Sequence, residues 1–281
     1  MTNIRFTKMN GLGNDFIILD YDEYKKTNIP AAKLAIRLCN RHFGIGADGL
    51  IIADPDSGKA DISWIFHNSD GSAAEMCGNG IRCFARYVYD KKIIAKKEFA
   101  VATKAGTIVP QIISADTVRV NMGKPVLECG KIPCAAAANL NIPYDVDGNA
   151  FLLNAIGMGN PHCVIFVKNG GKNHAAKYGA AIENSPLFPE KTNVEFVKIV
   201  SRNEITVNVW ERGCGITLAC GTGACASVAA GVLNGYLDDN VKTNLPGGAL
   251  SIEWRGGSAD PARDIFMTGP ADYSFTGEIV I

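Results

Sequence analysis

The chain of 281 residues is 47% hydrophobic and 20% charged, an ordinary globular composition with ample material for a core. Its 28 lysines and arginines balance 28 aspartates and glutamates with no run of one sign. That balance argues against a nucleic-acid or membrane-surface partner and for a compact polar small molecule.

The opening, MTNIRFTKMNGLGNDF, has neither the basic nor the apolar region of a signal peptide, and no apolar run reaches bilayer length. A cytoplasmic protein is expected. The nine cysteines, an odd number in a reducing compartment, are then read as free thiols rather than a disulfide framework.

In chain order, strands are predicted at 16–20, 50–53, 62–67, 99–103, 118–122, 164–167, 194–199, 205–210, 250–254 and 265–268, each rich in β-branched or aromatic residues. Three helices interrupt them. The first follows Pro30 in AAKLAIRLCNR, with proline at its start. The second follows Gly80, where Ile81, Phe84, Ala85 and Val88 recur at helical spacing. The third, ACASVAAGVLNG after Gly223, is small and apolar on every side and should be buried, with Gly235 near its stop.

The chain also repeats itself. Gly11-Leu12-Gly13-Asn14 returns as Gly157-Met158-Gly159-Asn160, and MCGNGIRC (76–83) returns as ACGTGAC (219–225). Asn14 precedes Cys77 by 63 residues and Asn160 precedes Cys220 by 60; Asn68 and Glu211 each stand nine positions before their cysteine. Two related halves of domain size follow, 1–122 and 123–269, joined near NMGKP (121–125) where Gly and Pro follow a strand.

Strand, loop, Cys-Gly-x-Gly, helix places each thiol at a helix N-terminus, where free amides and the helix dipole favour negative charge. The amides of Gly78–Asn79 and Gly221–Thr222 could receive a carboxylate, and the thiols are expected to ionise more readily than a free cysteine. A duplicated half-site supplies two acid–base groups of one kind. Inverting the α-carbon of an amino acid needs such a pair, one on each face.

Alternatives fare less well. Cys214, Cys220 and Cys225 miss the usual zinc-knuckle spacing. No Gly-Lys-Ser/Thr follows the glycines, which excludes a Walker A loop, and no glycine motif centres on a lysine for pyridoxal phosphate. Neither a metal nor a cofactor is expected. Cysteines 39, 83, 129, 134, 163 and 225 are read as small core fillers. His42, His67 and His174 are read as surface or capping groups, whereas His162, in the repeated loop, is placed to tune a thiol.

MNGLGNDF (9–16), HNSDGSAAEMCGNGIR (67–82), MGNPH (158–162), FPEKTNVEFV (188–197) and WERGCGITLACGTGACA (210–226) together resemble diaminopimelate epimerase, and Gly269-Pro270 also fits. The resemblance implies an α/β (α+β) fold of two pseudo-symmetric domains. Each would be a mixed β-barrel-like sheet around a central helix, with the active site in the cleft between them and the C-terminal strand, 270–281, returning to the first domain. It implies cofactor-independent interconversion of LL- and meso-diaminopimelate, toward lysine and peptidoglycan, by an enzyme that could be a homodimer. By position, Cys77 and Cys220 would be the acid–base pair. Asn14, Asn68, Gly78, Asn79, Asn160, Asn193, Glu211, Arg212, Gly221 and Thr222 would hold substrate, and His162 and Glu211 would tune the thiols. Ile216 and Gly49 depart from the family pattern at positions without an assigned role. Proline or hydroxyproline racemases and phenazine-type isomerases are the nearest rivals, and a non-catalytic amino-acid binder is a third. Arg212 favours the epimerase, because a second substrate carboxylate needs a fixed cation and proline has none.

Overall fold

The computed structural model describes residues 2–56, 58, 60–74, 76–169 and 171–281. The chain divides into two units, Met1–Val120 with Gly269–Ile281, and Asn121–Thr268. No described helix is long and apolar enough to cross a membrane.

Unit 1 contains β1 (Asn3–Gly11), β2 (Asn14–Asp20), a short α1 (Tyr21–Lys25), α2 (Ala31–Cys39), β3 (Gly49–Asp54), β4 (Ile62–Asn68), α3 (Gly78–Asp90), β5 (Val101–Thr103) and β6 (Gly106–Ile108). The strands β7 (Pro110–Ile112) and β8 (Thr117–Asn121) follow as a hairpin. The apolar runs FIIL and LIIA of β2 and β3 are buried on both faces. Ile17, Leu19, Leu50 and Ile52 pack with Leu34, Ala35 and Leu38 of α2, whereas Phe16 and Ile51 approach Gly80 of α3. A sheet between two helices is why these strands read as continuous hydrophobic stretches rather than alternating ones.

Unit 2 contains β9 (Ile142–Val146), β10 (Asn149–Gly157), β11 (Pro161–Phe166), α4 (Gly171–Glu183), β12 (Asn193–Ser201), β13 (Glu204–Glu211), β14 (Gly215–Thr217), α5 (Gly221–Leu233), β15 (Asn240–Leu245), β16 (Gly248–Glu253) and β17 (Phe266–Pro270). The final strand, β18 (Asp272–Val280), pairs antiparallel with β1 along its length, from Asn3↔Val280 to Asn10↔Asp272. The sheet of unit 1 therefore runs β18-β1-β2-β3-β4-β5-β6, and that of unit 2 runs β17-β16-β15-β13-β12-β11-β10-β9 with β14 on β13. Among the described residues neither order closes into a barrel.

The repeat extends through the whole topology. In unit 1, β2 runs parallel to β3 and β3 antiparallel to β4; in unit 2, β11 runs parallel to β12 and β12 antiparallel to β13. α2 and α4 make the corresponding crossovers; α3 follows β4, and α5 follows β13 after the short β14, each helix being of 13 residues. α4 escapes the sequence reading because its buried face, Ala175, Tyr178, Gly179, Ile182 and Glu183, interrupts two large apolar residues with small and charged ones. A Cβ on Gly179 would lie 2.5 Å from the Trp210 ring atoms, so this glycine lets α4 lie directly on β13. β1 and β18 also lie outside the predicted strands; both mix polar with apolar residues.

Candidate active site

In unit 1, Cys77 is the N-cap of α3, extended at φ −143° and ψ 118°, and its sulfur accepts from the Gly80 amide at 3.4 Å. The thiol donates to Asn14 Oδ1 at 3.5 Å, and Asn79 Nδ2 reaches the same oxygen at 3.4 Å. Asn14 arrives there because a two-residue turn, Leu12 (φ 57°) and Gly13 (φ 87°), closes the β1–β2 hairpin with Gly11 opposite Asn14.

Behind Asn14 stands a charged network. Asn14 Nδ2 donates to Asp48 Oδ2 at 2.6 Å, which leaves its carbonyl oxygen toward Cys77. Arg41 bridges Asp15 and Asp48 at 2.7 and 2.8 Å, and the buried ammonium of Lys8 lies 2.7 Å from Asp15. Burial opposes the charge of Asp15, yet hydrogen bonds from Arg41 and Lys8 hold its carboxyl at about 2. At Gly49 an added side chain would meet the Phe66 ring at 2.6 Å and the His67 carbonyl at 2.9 Å, so the departure noted there has a steric cause.

Arg82, fully buried, donates to the Gly78 carbonyl at 3.0 Å, to Asn79 Oδ1 at 2.9 Å and to the Pro270 carbonyl at 3.0 Å. It ties the first turn of α3 to the segment leading into β18. Asn68 is exposed at the end of β4, and its side-chain amide donates to Ser72 Oγ at 3.0 Å.

In unit 2, Cys220 caps α5 in the same way, at φ −120° and ψ 111°, accepting from the Gly223 amide at 3.3 Å and lying 3.4 Å from Thr222 Oγ1. The amides of Gly221 and Thr222 meet no protein acceptor among the described residues, as expected of a first helical turn open to an anion. Cys220 is 7% exposed, and its thiol titrates well above the free value. Burial is the main cause, followed by Glu211 and Glu195; Thr222 and the Gly223 amide oppose them without prevailing. This corrects the expectation of a readily ionised thiol at both helix ends, because desolvation and two carboxylates outweigh the helix terminus here.

The remaining residues of the second half-site fall into two groups. His162, fully buried on β11, has Nδ1 2.7 Å from Glu195 Oε1 and Nε2 2.8 Å from Asn160 Oδ1. Asn160 lies in a three-residue turn, with Gly159 at φ 83° and Gly157 opposite Pro161, unlike the tighter turn that carries Asn14. The other group surrounds the end of β13. Asn193 accepts from the Arg212 amide at 3.0 Å and donates to the Pro161 carbonyl at 2.9 Å. Glu211 accepts from Thr217, and the exposed Arg212 guanidinium donates to the Glu190 carbonyl at 3.1 Å. Glu183 of α4 clamps the turn, taking the Trp210 indole at 2.7 Å and the Gly213 amide at 2.9 Å.

Sequence reasoning missed Asp48, Arg82, Glu183 and Glu195. Of these only Glu195 left a trace, as a lone carboxylate inside the apolar run NVEFV.

The pattern of the diaminopimelate epimerase family matches residues 6–128 and 154–274. A protein named diaminopimelate epimerase from Carboxydothermus hydrogenoformans is 50% identical over 279 residues, covering 98% of this chain and 99% of its own length. A namesake from Halothermothrix orenii is 47% identical over 287 residues, covering 99% and 98%. Among solved structures, a phenazine biosynthesis protein of the PhzF family from Bacillus anthracis superposes with a TM-score of 0.71 at 13% identity, over the whole of both chains. A probable proline racemase from Agrobacterium radiobacter gives 0.70 at 16% identity, over 99% of this chain and 93% of its own. At such identities these two share the fold.

Proposed function

Because the chain belongs to the diaminopimelate epimerase family, we propose that it interconverts LL- and meso-diaminopimelate by proton transfer between Cys77 and Cys220, without a cofactor. The observation that carries this reading is the duplicated half-site, in which each unit offers one cysteine as the N-cap of a glycine-opened helix.

Inversion requires one group on each face of the α-carbon. In one direction the Cys77 thiolate takes the α-proton and becomes a thiol, while the Cys220 thiol gives its proton to the opposite face and becomes a thiolate. The reverse direction exchanges the roles. Burial and its neighbouring carboxylates suit Cys220 to begin as the donor. Negative charge that develops on the substrate carboxylate during abstraction would meet the amides of Gly78, Asn79, Gly221 and Thr222, fixed dipoles that need no reorganisation. Asn14, Asn68, Asn160, Asn193 and Glu211 would hold the amino and carboxylate groups, and Arg212 the remote carboxylate. His162 would act on Cys220 through its neighbours. The same reading places the enzyme in the cytoplasm, as a homodimer, in the supply of lysine and peptidoglycan precursors.

The test is proton NMR of LL- and meso-diaminopimelate in D2O with purified protein and no added cofactor, and proline as the control substrate. Deuterium at the epimerised α-carbon, with proline untouched, is the expected outcome. Turnover of proline in preference to diaminopimelate would overturn it in favour of a racemase of the related type.

A further inference from the structure

Glu195 is fully buried on β12, between Val194 and Phe196, whose side chains pack toward α4. Its own side chain points the other way, toward α5. A Cβ built on Gly223 would lie 2.5 Å from Glu195 Oε1, so only a glycine allows the first turn of α5 to rest on this carboxylate. That same oxygen is 2.7 Å from His162 Nδ1. Oε2 is buried without a hydrogen-bond partner among the described residues. A buried carboxylate oxygen left unpartnered is costly, and it calls for a reason beyond stability.

We propose that Glu195 is the positioning residue of the second half-site: it anchors His162, through it the Asn160 amide, and sets its charge beneath the turn that Cys220 caps. The proposal deepens the epimerase reading and rests on it only for the activity arm of the test.

A carboxylate only accepts, so Nδ1 of His162 carries the proton between them and the ring is held in one orientation. Nε2 faces Asn160 Oδ1 at 2.8 Å, and because that oxygen also only accepts, the contact is a hydrogen bond when Nε2 too carries a proton; it then fixes the plane of that amide in the repeated loop. The second effect is electrostatic. The groups bearing on the Cys220 sulfur are Glu195 from β12, Glu211 from β13, and the Thr222 hydroxyl and Gly223 amide from α5 itself, with His162 of β11 paired to Glu195. Burial raises the thiol most, then Glu211, then Glu195. Glu195 thus adds to the forces that keep Cys220 a proton donor, while Glu211 remains when Glu195 is neutralised.

Glu195→Gln keeps the shape and an oxygen acceptor and removes the charge. The readout is iodoacetamide labelling of Cys220 against pH, located by fragment-ion mass spectrometry and independent of any substrate. In a folded Glu195→Gln protein the midpoint should move to lower pH, with labelling below it faster by about tenfold, the effect of one unit. An unchanged midpoint would overturn the proposal. In the activity arm, kcat on diaminopimelate should fall by about ten- to a hundredfold with KM little altered; wild-type kcat in the variant would also overturn it. A wild type inactive on diaminopimelate would sink the epimerase reading, and the labelling arm would still decide the role of Glu195. Should Glu195→Gln not fold, nitrogen-15 NMR of His162 in the wild type decides: a protonated Nδ1 supports the pairing, and a bare Nδ1 overturns it.

Discussion

At Cys220 the Gly223 amide and the Thr222 hydroxyl favour a negative sulfur, whereas burial, Glu211 and Glu195 favour a neutral one, and the second set prevails. Because a proton donor on one face is useless without an acceptor on the other, Cys77→Ala and Cys220→Ala should each lower epimerisation by about 100- to 10,000-fold with the circular dichroism unchanged. Full activity in either variant would end the two-thiol mechanism. Arg212 is exposed, and among the described residues its guanidinium bonds only a carbonyl, so its charge is available to a remote carboxylate. Arg212→Met should reduce kcat/KM on diaminopimelate by about 2–3 kcal/mol, and Arg212→Lys by less, since lysine keeps the charge but loses the planar fork. Asp15 supplies a pH test. Its carboxyl sits at about 2 in the folded protein, below the ~3.9 of an unfolded chain, so folding favours the ionised form. That contribution is complete above about pH 4 and disappears as pH falls toward 2. Asp15→Asn should therefore lower the urea midpoint at neutral pH, and the gap from wild type should close across that window.

The two cysteine-capped helices look alike in sequence and differ in what surrounds their second glycine. At Gly80 an added methyl would find its nearest atoms at 3.4 Å, ordinary contact, but at Gly223 it would meet Glu195 Oε1 at 2.5 Å. Gly80→Ala should be nearly neutral, whereas Gly223→Ala should cost about 1–3 kcal/mol as the carboxylate or the helix shifts. Thermal melts of the two variants compare them directly, and equal losses would contradict the packing described. α3 and α5 were legible because cysteine, glycine and a helical apolar face coincide twice at matching distances. α4 was not, since alanine and glycine on its buried face carry little hydrophobic signal. Glu195 stayed unassigned for a related reason: a strand buried on both faces reads as one apolar run, and its partner His162 lies 33 residues away in sequence. Asp48 meets Asn14, and Arg82 meets the Pro270 carbonyl, through tertiary contacts that no spacing reveals.

At the scale of the whole molecule, the repeat and the family motifs conveyed the two-unit plan, while pairings made across the length of the chain needed the structure. β18 illustrates this. It pairs with β1 at eight positions, and the chain just before it supplies the Pro270 carbonyl to the buried Arg82 and the Ala271 carbonyl to Arg86. At about 1 kcal/mol for each hydrogen bond, this seam is comparable with the ~5–15 kcal/mol that holds a typical domain folded. Deleting residues 270–281 should leave unit 1 without a cooperative melt and with fast amide exchange in β1; protected β1 amides in the truncated protein would refute this. The seam also bears on how the protein is born. The ribosome must translate all of unit 2 before it makes the strand that finishes unit 1, so the usual N-to-C order of domain folding is reversed. Until then β1 emerges as an open edge, able to pair with other nascent chains, and the cell must shield it for the time needed to make some 150 residues (about 8–30 s at about 5–20 residues per second).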